Sequence, residues 1–366
     1  MPETLRRTAL FEAHRALGAK LVPFGGFEMP VSYAGILREH AAVRRRAGLF
    51  DLSHMGQFAL RGANVGAWAE TLTVNLVANM KPGQARYNIF TNEHGGAHDD
   101  VIFYRLDADR WLLVVNASNA DKMWSLVSAA APAGIEVVNN HGVDALIAIQ
   151  GPRSVEILRD FVDVDLGAMK YYSCVQTPVR GVASLVARTG YTGEDGFEIF
   201  CASEYATNVW DELLARGRAH GLEPAGLGAR DVLRLEAGMP LYGHELSEEI
   251  TPVQAGLSWA VKLAKPSFAG RAALETQLAG ATYDRIAGLI LDGKIPARSG
   301  YAVYAGDTRV GEVRSGSTAP SVGNKNIATA LVSAGAAELG TRLAVEIRGT
   351  RHAATVSPLP FYKRAK

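Results

Sequence analysis

The sequence predicts an α+β chain: helices interleaved with strands through residues 1–270, a connecting helix and linker at 271–284, and a small all-β barrel or sandwich over 285–366. Three observations carry this. Apolar residues recur at helical spacing in segments that alternate with strand-length apolar runs. From about Arg285 the texture changes to short strands split by glycine turns, at 286–291, 301–304, 310–314, 327–331, 343–348 and 353–356. Ahead of that region, Gly190, Gly193 and Gly196 fall within seven residues between the apolar runs 182–186 and 197–200, the pattern of a β-hairpin.

Each element has its own warrant. Leu10, Ala13 and Leu17 recur at helical spacing, and Gly18 ends that helix. Gly25-Gly26 and Met29-Pro30 make a loop. A second helix fits Ile36 to Ala47, closed by Gly48. Its Arg44-Arg45-Arg46 run reads as a solvated face or as a match for an acidic partner. Ala63 to Leu72 is helical, and strands follow at 85–91, 101–106 and 111–116. Residues 121–130 and 152–161 are helical by periodicity, separated by strands near 135–138 and 145–150. Ser203 serves as N-cap for a helix reaching Arg216, with Val209, Leu213 and Leu214 inward. A helix through 226–238 carries Arg230 and Arg234 on one face, and one at Gly270 to Gln277 leads to the barrel.

Composition narrows the function. The 366 residues are 48% hydrophobic, and 38 Lys+Arg against 37 Asp+Glu leave a net charge of +1. Without a basic excess, nucleic acid is not an expected partner. No apolar run is long enough to span a bilayer, so no membrane association is expected. The first residues lack the apolar core of a signal peptide, which makes cytoplasmic the expected location. Cys174 and Cys201 match no metal spacing and read as buried, reduced thiols.

Five patterns invite chemistry. Asp51, Ser53 and His54 suggest a hydrolytic triad, but residues so close on one strand point to opposite faces, and no G-x-S-x-G elbow supports it. Asp99 and Asp100 diverge for the same reason, so one at most enters a pocket as acid or base; an Asx-type turn is the plainer reading. His94 and His98 are separated by Gly95-Gly96, which breaks the helix a histidine metal pair needs, and no metal is expected. The Gly226-Leu227-Gly228 opening lacks a preceding strand, and Asp231 stands where a dinucleotide loop has its third glycine. In the hairpin, Phe197 and Ile199 share one face and Glu198 stands on the other, either solvated or set over a ligand.

Taken together and in order, several stretches resemble the glycine cleavage T-protein family of aminomethyltransferases along nearly the whole chain. They are Phe50-Asp51-Leu52-Ser53-His54-Met55, Gly95-Gly96-x-x-Asp99-Asp100, Arg188 to Glu198, Gly226-Leu227-Gly228-Ala229-Arg230-Asp231, Leu235-Glu236-Ala237-Gly238, Leu241-Tyr242-Gly243-His244-Glu245 and Pro360-Phe361-Tyr362. The resemblance implies a folate-binding region of two interleaved α/β subdomains with antiparallel sheets, then the barrel, arranged around a central cavity. It also implies the reaction: an aminomethyl group on the lipoyl arm of a carrier, the H-protein, passes to tetrahydrofolate, giving 5,10-methylenetetrahydrofolate, ammonia and the reduced carrier.

By the same resemblance Glu198 accepts the donor edge of the pterin, with both oxygens, and Arg230 faces the pterin carbonyl or the glutamate tail. Tyr87, Asn116 and Tyr191 line the folate pocket, and Asp100 stands near the reacting nitrogens as the catalytic residue. Two departures are visible: His98 where relatives carry an apolar residue, and Arg314 where they mostly carry threonine. Rival functions on the same fold are a folate-dependent demethylase and a non-catalytic folate-binding iron–sulfur assembly factor. The latter is marked by a cysteine motif that Gly238 to Glu245 lacks.

Overall fold

The computed structural model describes residues 4–280 and 282–365. The chain divides into two compact units. The first comprises residues 1–69, 77–87 and 101–231; the second comprises 70–76, 88–100 and 232–366. Both are therefore assembled from separated stretches of chain.

The first half of the chain opens with α1 (Phe11–Ala16), β1 (Lys20–Phe24), β2 (Phe27–Ser32) and α2 (Ile36–Arg45). Then come β3 (Ala47–Asp51), β4 (Gly56–Arg61), α3 (Val65–Leu72), β5 (Gln84–Thr91), β6 (Ala97–Arg105) and β7 (Arg110–Val115). Next are α4 (Ala120–Ala130), β8 (Glu136–Asn139), β9 (Asp144–Gln150) and α5 (Ser154–Leu158). The hairpin strands and their surroundings are β10 (Ser173–Val179), β11 (Val182–Arg188), β12 (Gly196–Ala202), α6 (Ala206–Gly217), β13 (Leu222–Pro224) and α7 (Leu227–Glu236). Eleven of these strands form one sheet in the order β13-β3-β9-β12-β11-β10-β5-β6-β7-β4-β8, while β1 and β2 pair separately.

The predicted hairpin is β11 against β12, antiparallel, with Ala187 opposite Glu198 and Leu185 opposite Phe200. β12 also pairs along its full length with β9. Phe197 and Ile199 are fully buried in a core shared with Leu213 and Trp210 of α6. Gly196 to Cys201 are all buried, so both faces of β12 are covered, the one that carries Glu198 included.

Beyond α8 (Arg271–Ala279) the second unit contains a closed barrel of six strands: β14 (Arg285–Leu291), β15 (Ala302–Ala305), β16 (Thr308–Ala319), β17 (Lys325–Val332), β18 (Arg342–Ile347) and β19 (Thr350–Ser357). Their order is β14-β17-β16-β15-β18-β19. Alternate residues, among them Leu289, Val303, Val313, Ala330 and Val345, fill its interior. Arg234 of α7 sits in the same unit, 1% exposed, donating to Glu245 at 3.0 Å and to Ser315 of β16 at 2.8 Å. Burial pushes the Glu245 carboxyl up, but the Arg234 charge and the hydroxyls of Thr329 and Ser315 outweigh it and hold it low.

Several local expectations change. The second helix stops at Arg45, and Ala47 and Gly48 belong to β3. Gly48 is required there by close packing, because a Cβ would lie 2.4 Å from Val43 Cγ2. The Gly25-Gly26 pair is the turn of the β1–β2 hairpin, with both glycines at positive φ. Ser203 begins a short 3₁₀ turn and makes no capping bond to the helix. In the arginine run at the end of α2, Arg45 and Arg46 are exposed, as a solvated face requires, with Arg46 reaching Glu223 at 3.1 Å, whereas Arg44 turns inward, half-buried, and pairs with Glu194 at 2.9 Å. Both cysteines are free and buried, and burial pushes their thiols up, to about 12 for Cys174 and about 11 for Cys201.

Candidate active site

The loop between β11 and β12 is built around one glutamine. Gln150, at the end of β9, donates through Nε2 to the Thr189 carbonyl at 3.0 Å and accepts from Thr192 Oγ1 at 3.0 Å. A Cβ on Gly190 would lie 2.0 Å from its Oε1, and one on Gly196 would lie 2.4 Å from its Nε2. Gly193 is the one loop glycine at positive φ, +80°. Arg188 and Asp195 close the base of the loop with two parallel bonds of 3.0 and 2.6 Å. Arg44 holds the tip through the Thr192 carbonyl and Glu194. These contacts fix Thr189, Tyr191 and Glu198 relative to one another.

Glu198 is 7% exposed. Its Oε2 accepts from the Tyr104 hydroxyl at 3.0 Å and from Thr189 Oγ1. Its Oε1 has no hydrogen bond among the described residues. Tyr104 is buried and packs edge-on against Phe200, which shares the Glu198 face of β12, with centroids 5.4 Å apart. Burial and then the Glu198 charge push the Tyr104 hydroxyl well above its usual range, so it remains a donor at any working pH. One carboxylate oxygen is saturated by two fixed hydroxyls, and the other retains its capacity to accept.

Arg230, on the first turn of α7, stacks over the Tyr191 ring at 4.6 Å. The structure therefore joins two of the predicted site residues directly. Tyr87 lies on β5, and Asn116 directly follows β7; both are half-buried. Asp99 and Asp100 lie within β6 and not in a turn before it; Asp99 is buried and Asp100 half-buried. Strand alternation sets Asp100, Ile102 and Tyr104 on one face of β6. His98 meets Glu248 at 3.2 Å, and Arg314 donates to the His244 carbonyl at 2.7 Å. Both departures from the family pattern thus have local partners.

Asp51 and His54 do not pair. The Asp51 carboxylate accepts from His14 Nε2 at 2.9 Å, Thr8 Oγ1 at 2.7 Å and the Ser53 N–H at 2.9 Å, while Tyr33 donates to His14 Nδ1 at 2.9 Å. Burial pushes the Asp51 carboxyl up, but His14, Ser53 and Thr8 outweigh it and keep it ionised below the usual range. Among the described residues no group of three or more His, Cys, Asp or Glu side chains could hold a metal ion, and no helix is long and apolar enough to cross a membrane. A separate hollow of about 520 Å³ in the first unit is walled by Trp111, Leu185, Phe200 and Cys201 and contains none of the six predicted site residues.

Residue reasoning missed Tyr104, Thr189 and Gln150. Thr189 lies inside the glycine-rich stretch, and Tyr104 is four residues beyond Asp100 on the same strand face, so parity along β6 was the available signal. Nothing local marks Gln150, which acts only through strand pairing.

The family model described as the GCVT N-terminal domain matches residues 10–265, and that of the glycine cleavage T-protein C-terminal barrel domain matches 285–363. An aminomethyltransferase of Deinococcus deserti is 47% identical over 99% of this chain and 98% of its own length. One of Streptomyces coelicolor is 47% identical over 99% of each. The crystal structure of the glycine cleavage system aminomethyltransferase T from Bartonella henselae superposes with a TM-score of 0.91 at 34% identity, covering 98% of this chain and 99% of that one. On the strength of these matches and the α+β fold with its six-stranded barrel, the chain belongs to the glycine cleavage T-proteins and is an aminomethyltransferase.

Proposed function

We propose that this aminomethyltransferase receives its one-carbon unit from the lipoyl arm of the H-protein and passes it to tetrahydrofolate held at Glu198. The observation that carries this is the buried Glu198 carboxylate with one oxygen tied down by Tyr104 and Thr189 and the other open. A pterin presents an amino group beside a ring N–H. Because Oε2 already has two donors, the open Oε1 takes the pterin donor edge, in place of the two-oxygen grip that the residue type alone suggests. A charge-assisted contact of this kind contributes about 1.5–3 kcal/mol.

Arg230 and Tyr191 form a second wall, a cation on an aromatic face, suited to a carbonyl or carboxylate of the folate. Tyr87 and Asn116 complete the lining by family correspondence. In the transfer two carbon–nitrogen bonds to the folate form while the carrier's carbon–sulfur bond and the carbon–ammonia bond break. The two protons lost by the folate nitrogens end on sulfur and on ammonia. Asp100 is the group that relays or polarises them, and its place on the Tyr104 face of β6 supports that role. Holding the carrier's arm and the folate together supplies the rest.

The test is turnover by the purified protein of aminomethylated H-protein and tetrahydrofolate. Equal amounts of ammonia and 5,10-methylenetetrahydrofolate are expected. Demethylation of a sulfonium donor with no release of ammonia would transfer the reading to the folate-dependent demethylases.

A further inference from the structure

With Asp51 committed to His14, the imidazole of His54 is left outside that network. Its backbone is fixed on several sides. Ser53 N–H donates to Asp51, Met55 N–H donates to the Leu52 carbonyl at 3.0 Å, and His141 Nε2 donates to the His54 carbonyl at 3.0 Å. The ring packs edge-on against Phe24, with centroids 5.5 Å apart, and the residue is 1% exposed. Yet neither ring nitrogen hydrogen-bonds any described residue, and Nδ1 is fully enclosed. Arg230 lies within electrostatic reach. After burial and against the pull of Asp51, its charge and that of His141 disfavour a proton on the ring, which titrates down at about 4.

We infer that His54 is a further substrate-binding residue, whose Nε2, the ring nitrogen that is not sealed in the fold, hydrogen-bonds a neutral polar atom of the folate beside Arg230. A neutral imidazole offers one donor and one acceptor. Nε2 has no partner within a nearly buried ring, and a ligand that supplies one satisfies it. The partner is an amide or lactam atom and not a carboxylate: an uncharged ring gives a carboxylate little, and a carboxylate would seek the Arg230 charge instead.

The inference rests on the folate reading, and the two are tested separately. Wild-type protein is titrated with tetrahydrofolate, and its failure to bind would overturn both. Given wild-type binding, His54→Phe keeps the ring volume and removes both nitrogens. It is expected to leave Tm unchanged or raised, to raise KM for tetrahydrofolate about tenfold or more, and to leave kcat within a few-fold. His54→Gln, which restores an amide donor and acceptor, is expected to recover part of that loss. An unchanged KM in a folded His54→Phe protein would overturn the inference. If His54→Phe fails to fold, the ring nitrogen signals of wild-type His54 decide: a shift on adding tetrahydrofolate supports the contact, and none overturns it.

Discussion

Replacing Glu198 by glutamine separates charge from shape at the residue proposed to hold the folate. Two hydroxyl donors, Tyr104 and Thr189, converge on Oε2. A hydroxyl both donates and accepts, so in the variant the pair can hold either end of the amide. With the amide oxygen toward the pterin an uncharged acceptor remains; with the NH2 toward it, donor meets donor. In both orientations the charge is gone, and the loss is that of the charge-assisted contact, about 1.5–3 kcal/mol. At about 1.4 kcal/mol per factor of ten, Kd for tetrahydrofolate rises roughly ten- to hundredfold. Stability should hold, because both hydroxyl bonds survive and a buried charge is removed. Calorimetric titration paired with thermal melts measures both quantities. A Kd within twofold of wild type in a protein that melts normally would refute the reasoning.

Three further outcomes are expected. Asp100→Asn should bind tetrahydrofolate within a few-fold of wild type but lose about 10²–10⁴ in kcat, as removal of one acid–base group does; single-turnover assays check it, and equal turnover would exclude the role. Gly196→Ala places a Cβ 2.4 Å from Gln150 Nε2 and 2.7 Å from the Ile149 carbonyl of the paired strand, which cannot withdraw. It should cost about 1–3 kcal/mol in urea melts, with folate affinity falling because the Tyr191 loop shifts. Stability should also fall as pH drops from 6.5 to about 4, because unfolded His54 takes a proton across that window and the folded ring does not until about 4. The difference approaches 3 kcal/mol by roughly the lower limit. The lowered carboxyls of Asp51 and Glu245 lose their contribution from their unfolded range, about 4, down through their lower folded values. His141, lowered by burial, adds to the upper window, so His54→Phe should flatten the upper part of the curve in part.

Much of this was legible in residue order, and for physical reasons. Most barrel strands announced themselves because they are short and bounded by glycine turns, although β16 runs on to Ala319 past its expected end at Arg314. Val209, Leu213 and Leu214 sit inward on α6 as their spacing requires. The β11–β12 hairpin followed from its glycines, although only Gly193 needs positive φ while Gly190 and Gly196 make room for Gln150. What stayed hidden depends on distant partners. The end of α2 was misread because Gly48 has the look of a terminating glycine, whereas its lack of a side chain serves β3 packing against Val43. Arg44 looked solvated because Glu194 lies far along the chain. Asp51 sought a neighbouring histidine and found His14 instead. In the candidate site, Glu198 and the Arg230–Tyr191 pair could be named from type and family correspondence, but the hydroxyls that leave one Glu198 oxygen open could not.

The most direct measurement is a crystal structure of the protein with tetrahydrofolate bound. The pterin amino group or its adjacent ring N–H should lie within hydrogen-bond distance of Glu198 Oε1, with Oε2 still held by Tyr104 and Thr189 and the Asp100 carboxylate beside the reacting nitrogens. A folate seated elsewhere, with Glu198 bonded only to its two hydroxyls, would contradict the account.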